Sequence, residues 1–132
     1  SVPCSYDSPL SSRDADAWSG GPPPGCSMLD APVAAREGEQ AYLTDVFRQG
    51  GTHFALLSFG NGAPIELPDG VKDIRIGGEA GLADPAGLAA KRYDAQPATA
   101  YLLRPDGYVA ARFRHPTGAM IAAALSRAQG LN

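Results

Sequence analysis

The sequence has little cysteine, little histidine, no long apolar run and no excess of positive charge. Two cysteines, Cys4 and Cys26, in 132 residues are too few for the multi-bridge framework of small secreted domains, and too few to hold a structural zinc unaided. They are read as free thiols, with a single Cys4–Cys26 disulfide as the alternative. No apolar stretch approaches the roughly 20 residues that cross a bilayer, so a membrane-spanning protein is excluded. Eleven Lys and Arg against fourteen Asp and Glu give a net charge of −3. A phosphate backbone meets no net attraction from such a chain, and nucleic acid is not an expected partner. Ser1-Val2-Pro3-Cys4 lacks the basic-then-apolar layout of a secretory signal, which makes a cytoplasmic location the expectation.

What the chain does have is turn formers: 16 glycines and 12 prolines, which imply short regular elements. They divide it by texture. Residues 1–36 read as an extended N-terminal arm or linker, rich in Ser, Pro, Gly and Asp and including Gly20-Gly21-Pro22-Pro23-Pro24-Gly25. Tyr6, Leu10, Trp18, Met28, Leu29 and Val33 are its candidate anchors. A proline-recognition ligand is the other reading of the triple proline.

Residues 37–132 are patterned as one α/β domain. Thr44 is placed to cap a short helical turn holding Val46 and Phe47, ended by Gly50-Gly51. Phe54–Phe59 is a nearly continuous apolar run, the pattern of a strand covered on both faces. The next eleven residues, Gly60 to Gly70, carry too many helix breakers for a normal crossover helix. Val71–Ile76 reads as a second strand, and Asp84-Pro85 as a helix start that runs on to near Asp94. Ala98–Leu103 and Tyr108–Phe113 are two strands joined by Arg104-Pro105-Asp106-Gly107, where Pro suits the first corner and Gly supplies a positive φ. Thr117 caps a last helix with Met120, Ile121, Ala124, Leu125 and Ala128 on its apolar side, stopped by Gly130. This order is that of a thioredoxin-like sandwich: a central mixed sheet, a C-terminal β-hairpin and a final helix.

Dithiol chemistry on that scaffold needs Cys-x-x-Cys where the central strand meets a helix N-terminus. Phe59-Gly60-Asn61-Gly62-Ala63-Pro64 holds no sulfur there. Other candidate chemistry is thin. His53 and His115 would have to converge with a third group to act in catalysis or hold a metal. Glu66, Asp69 and Asp73 lack the regular oxygen spacing of a hard-cation loop and read as a solvated edge. Tyr101, Tyr108 and Phe113 are either an aromatic platform or, as favoured here, sheet packing. Arg104, Arg112 and Arg114 make the hairpin locally basic, serving an acidic partner or solubility. Ile76-Gly77-Gly78-Glu79-Ala80-Gly81 has the wrong spacing for a phosphate cradle and is read as a loop. No catalytic, cofactor-binding or metal-binding residue is assigned.

Several ordered segments carry a resemblance. Asp7-Ser8-Pro9-Leu10, Gly20-Gly21-Pro22, Asp30-Ala31-Pro32, Tyr42-Leu43-Thr44-Asp45, Phe54-Ala55-Leu56-Leu57 and above all Leu103 to Arg112, with Arg104, Pro105, Asp106 and Gly107 as its structural signature, resemble the C-terminal domain of flavin-dependent aromatic hydroxylases of the phenol hydroxylase-like, class A monooxygenase group. The resemblance implies a thioredoxin-like domain without active cysteines, which follows an FAD-binding domain and a substrate domain. It implies a non-catalytic, structural or oligomerising role in an FAD- and NAD(P)H-dependent oxidoreductase that hydroxylates an aromatic substrate. The parent's FAD and substrate domains would be its partners, with a homodimer as a further arrangement. The family's Gly-x-Gly-x-x-Gly flavin turn does not occur in these residues, so no flavin ligand carries over. Two readings from other classes stand beside this one: a stand-alone thiol redox protein using Cys4 or Cys26, and a protein-binding adaptor.

Overall fold

The computed structural model describes residues 8–62 and 64–131; Cys4 and Tyr6 lie outside them. A small antiparallel ribbon comes first, β1 (Pro32–Ala34) with β2 (Gln40–Tyr42). The helix α1 (Leu43–Arg48) follows directly. Its first turn is capped from a distance, because the Asp30 carboxylate accepts from the Thr44 amide at 3.0 Å. Thr44 therefore sits inside the helix and not at its cap. At the other end Lys72 donates from Nζ to the carbonyls of Val46 (2.6 Å) and Gln49 (2.9 Å), which satisfies carbonyls the helix leaves open. Desolvation there lowers the Lys72 pKa.

The main sheet has four strands in the order β4-β3-β5-β6. Strands β3 (Phe54–Phe59) and β4 (Val71–Ile76) are parallel, while β5 (Ala100–Leu103) is antiparallel to both β3 and β6 (Val109–Phe113). The bounds of β3 and β4 coincide with the runs marked in the sequence. Side chains of β3 alternate: Ala55, Leu57 and Phe59 enter one core, and Leu56 enters the other. An apolar run with no polar alternation is thus explained by cover on both faces.

The first face is closed by α1, β1 and α2 (Leu88–Arg92), bringing Val33, Leu43, Phe47, Ala89 and Tyr93 against the sheet. Helix α2 begins three residues later than the Asp84-Pro85 signal suggests. Pro85–Gly87 forms a 3₁₀ turn in which Ala86 has φ 54°. Asp84 still caps α2, accepting from the amides of Ala89 at 2.8 Å and Ala90 at 2.9 Å. The second face is covered by α3 (Gly118–Ala128), whose Ile121, Ala124, Leu125 and Ala128 are buried over β5 and β6. Thr117 caps α3 by accepting from the Met120 amide at 3.2 Å. Over β3 the same face is covered by the irregular connection, through Ile65 and Leu67.

Strand β6 is an edge by topology, yet all five of its residues are buried. Residues 8–27 lie along it. Ser12 donates to the Ala110 carbonyl at 2.8 Å, Gly25 donates to Val109, and Val109 donates to Cys26, both also at 2.8 Å. The edge is thereby closed by the chain's own N-terminal segment. Cys26 is buried and disulfide-bonded, which corrects the expectation of a free thiol at that position.

Candidate functional site

Three places bring polar side chains together. The first is where the N-terminal segment crosses β6. Arg112 lies in β6 and Arg114, two residues on, just past its end, and both guanidinium groups come to one side, against Trp18. Asp14 and Asp16 have the same spacing and meet them in register. Arg112 pairs with Asp14 through Nε at 3.0 Å and Nη2 at 2.8 Å, and the Arg114 amide donates to Asp16 at 2.9 Å. The Trp18 ring lies against both guanidinium groups, 4.2 Å from Arg112 and 3.7 Å from Arg114. Arg114 also donates to the Asp94 carboxylate (2.8 Å) and to Thr99 Oγ1 (3.0 Å).

Asp94 completes this cluster. It adopts φ 48°, a conformation that Asp and Asn tolerate better than most residues, and its Oδ2 accepts from the Ser19 and Gly20 amides as well. The Ser19 amide, chiefly, and Arg114 hold its carboxyl below the ordinary value against some desolvation. Burial works against the charge on Arg112, but bonds to Asp14 and Tyr101 outweigh it and its pKa is raised. Beneath lie Tyr101 and Tyr93, ring centroids 4.9 Å apart, with the Tyr101 hydroxyl donating to the Tyr93 carbonyl at 2.6 Å. Burial pushes Tyr101 up to about 12, with Arg112 opposing, and raises Tyr93 as well. The guanidinium groups of Arg112 and Arg114 are each bonded to a carboxylate, so the cluster fastens the N-terminal segment to β6, while the buried Trp18 Nε1 has no hydrogen-bond partner among the described residues.

The second place is the hairpin turn. Gly107 donates to the Arg104 carbonyl at 2.8 Å and has φ 84°. Asp106 accepts from the Tyr108 amide at 3.2 Å and from Arg104 Nη2 at 2.7 Å. Pro105 occupies the first corner, so Arg104, Pro105, Asp106 and Gly107 form a self-contained turn. Met28 donates to the Gly107 carbonyl at 2.8 Å, joining the turn to the N-terminal segment.

The third is a cavity of about 200 Å³ at the C-terminal end of β3. Leu56, Phe59, Ile65 and Leu67 form its apolar wall; Ser58, Asp73, Arg75 and His115 bring polar groups to it.

The other candidates from the sequence do not converge. His53 sits at the start of β3, its Nε2 2.8 Å from the Phe47 carbonyl oxygen. His115 follows β6, which reaches the opposite end of the sheet, about 17 Å away for a six-residue strand. Tyr101 faces one core and Phe113 the other, while Tyr108 is exposed, so there is no aromatic platform. Arg112 and Arg114 are 7% and 8% exposed, which overturns their reading as a basic surface. Glu66, Asp69 and Asp73 are exposed, and Asp73 pairs with Arg75 at 3.4 Å. Among the described residues no group of three His, Cys, Asp or Glu is placed to hold a metal ion. Nor is any helix among them long and apolar enough to cross a membrane. Ile76 ends β4, and Gly77 to Gly81 form a loop that Asn61 braces through the Glu79 amide at 3.3 Å.

No family model and no curated protein matches the chain. Solved structures do. The flavin-dependent monooxygenase PieE, in complex with FAD and substrate, is 25% identical with a TM-score of 0.66, over 99% of this chain and 24% of its own. Aklavinone-11 hydroxylase, in a ternary complex with FAD and aklavinone, is 26% identical with a TM-score of 0.70, over 93% of this chain and 25% of its own. The Diels-Alderase PyrE3 of pyrroindomycin biosynthesis is 29% identical with a TM-score of 0.51, over 78% of this chain and 18% of its own. The chain thus resembles flavin-dependent monooxygenases along nearly all of its length while spanning about a quarter of theirs.

Proposed function

We propose that this chain is the C-terminal, thioredoxin-like domain of a flavin-dependent aromatic hydroxylase and supports that enzyme without reacting itself. The observation that carries this reading is the pair of likenesses in which nearly all of this chain corresponds to about a quarter of an FAD-dependent enzyme. The sheet order β4-β3-β5-β6 with a final helix is the arrangement expected of a thioredoxin-like core. Where such a core would carry redox sulfur, after Phe59, this chain has Gly60, Asn61 and Gly62. A likeness extending to a Diels-Alderase also favours a supporting role, since a domain shared by enzymes of different chemistry is a poor place for either reaction.

In this reading residues 1–36 lead from the parent's FAD and substrate domains into the domain of residues 37–132, in the cytoplasm. The parent uses FAD and NADH or NADPH to place one oxygen atom of O₂ on an aromatic ring. This chain supplies no flavin ligand, no proton carrier and no catalytic thiol to that reaction. Its contribution is mechanical: a rigid body that packs on the parent's other domains and, where copies associate, helps hold them together. The test is FAD titration of the purified 132-residue chain, followed by flavin absorbance and fluorescence. A colourless chain that leaves FAD fluorescence unchanged and has no hydroxylase activity is expected; a stoichiometric flavin spectrum overturns the assignment.

A further inference from the structure

We infer that the cavity at the C-terminal end of β3 is a binding site for a neutral single-ring phenol. It exists because of the irregular connection between β3 and β4. A crossover helix would lay a continuous apolar stripe over these two strands. The described residues of this connection lay two apolar side chains on this face of the sheet, Ile65 and Leu67. They are propped on the first turn of α3, where a Cβ on Gly118 would lie 3.8 Å from the Glu66 carbonyl oxygen and 4.0 Å from Ile65 Cγ2. The unfilled space is about 200 Å³. An apolar cavity of roughly 150 Å³ holds benzene, so this one accommodates a single ring with a small substituent.

The polar groups select the substituent. Ser58 and Arg75 are register partners on β3 and β4, so they open on the same face. The Ser58 hydroxyl makes no hydrogen bond to a described residue, and Arg75 spends only Nε, in a long 3.4 Å contact to Asp73. A ring hydroxyl can accept from Arg75 or Ser58 and donate to Asp73 or Ser58. A carboxylate gains much less, because the positive charge of Arg75 is already offset by Asp73 beside it. Every wall residue belongs to this chain, so the inference stands apart from the assignment of a parent enzyme.

The test is titration of the full 132-residue chain with phenol, benzene and benzoate, followed by backbone amide NMR shifts. Saturable shifts centred on Ser58, Ile65 and Arg75 are expected, with phenol about fivefold tighter than benzene, the worth of one net hydrogen bond, and benzoate weaker than phenol. Ser58→Ala is expected to narrow the preference for phenol over benzene, with Arg75 and Asp73 still in place, and Ser58→Leu to abolish binding by filling the cavity. Shifts that do not saturate, equal affinity for phenol and benzene, or a preference for benzoate overturn the proposal. Ile65→Trp fills the same space from the connection, so a Ser58→Leu chain that does not fold leaves the occupancy test intact.

Discussion

Arg112 and Asp94 show how much of the fastening rests on single side chains. The side chain of Arg112 is 6% exposed and that of its partner Asp14 27% exposed. Removing the guanidinium takes away a two-pronged ion pair and one of the cations against Trp18. Arg112→Ala is expected to lower unfolding stability by about 2–4 kcal/mol, since Asp14 can partly rehydrate. Arg112→Lys keeps the charge but not the planar fork and is expected to recover less than half of that loss in chemical denaturation. Asp94 predicts a pH dependence. Its folded pKa is depressed, so the unfolded chain binds more protons, and the stability it contributes is present above the unfolded value and lost as pH falls through the folded one. Asp94→Asn retains a residue suited to positive φ and removes the titration. The stability gap between wild type and Asp94→Asn is therefore expected to be widest near neutrality and to close below about pH 4. A gap independent of pH would show that the charge of Asp94 contributes nothing.

At the scale of elements, the N-terminal segment is fastened to β6 tightly enough that one glycine decides whether it seats. Gly21 has φ 76°; a Cβ there would strike the Tyr101 hydroxyl and lie 2.9 Å from the Tyr93 carbonyl oxygen, both held in the core. Gly21→Ala is expected to cost about 2–4 kcal/mol from positive φ and overpacking together. The strained segment should admit water to Trp18, read as a red shift of its fluorescence, and the whole domain should unfold at lower denaturant concentration. Much of the element pattern was legible beforehand. Strands β3 and β4, the hairpin turn and the Thr117 cap all announce themselves through local chemistry: apolar runs, Pro and Gly at fixed turn positions, a hydroxyl before an apolar period. The fastening was not, because its partners lie 98 positions apart. Its one trace in the sequence is a matched spacing, Asp14 and Asp16 against Arg112 and Arg114, which has meaning only once the segment is known to lie along β6. Likewise β1 and β2, three residues each, are too short for periodicity to reveal. The cavity left only an indirect mark, the breaker-rich run from Gly60 to Gly70, since it follows from what that irregular connection fails to fill.

For the molecule as a whole, the question is whether the first 36 residues behave as an arm or as part of the folded body. Ala31 and Val33 are fully buried in the first core. Trp18 packs edge-on against Tyr101, centroids 5.6 Å apart, and the Tyr93 hydroxyl is hydrogen-bonded to both the amide and the carbonyl of Leu29. Contacts of this kind couple the segment to the sheet energetically, because neither side keeps its polar groups satisfied without the other. Unfolding should then be one event. Trp18 fluorescence, which reports the segment, and far-ultraviolet circular dichroism, which reports the sheet and helices, are expected to trace the same denaturant transition. A fluorescence change that precedes the loss of circular dichroism would make the segment a separate unit of local stability. The disulfide at Cys26 belongs to the same body: with the residue 4% exposed and its sulfur already bonded, alkylation of the native chain should leave Cys26 unmodified until a reductant is added. Rapid labelling of Cys26 at mildly acidic pH without reductant would instead restore the thiol-enzyme reading, since only a low-pKa thiolate reacts under those conditions.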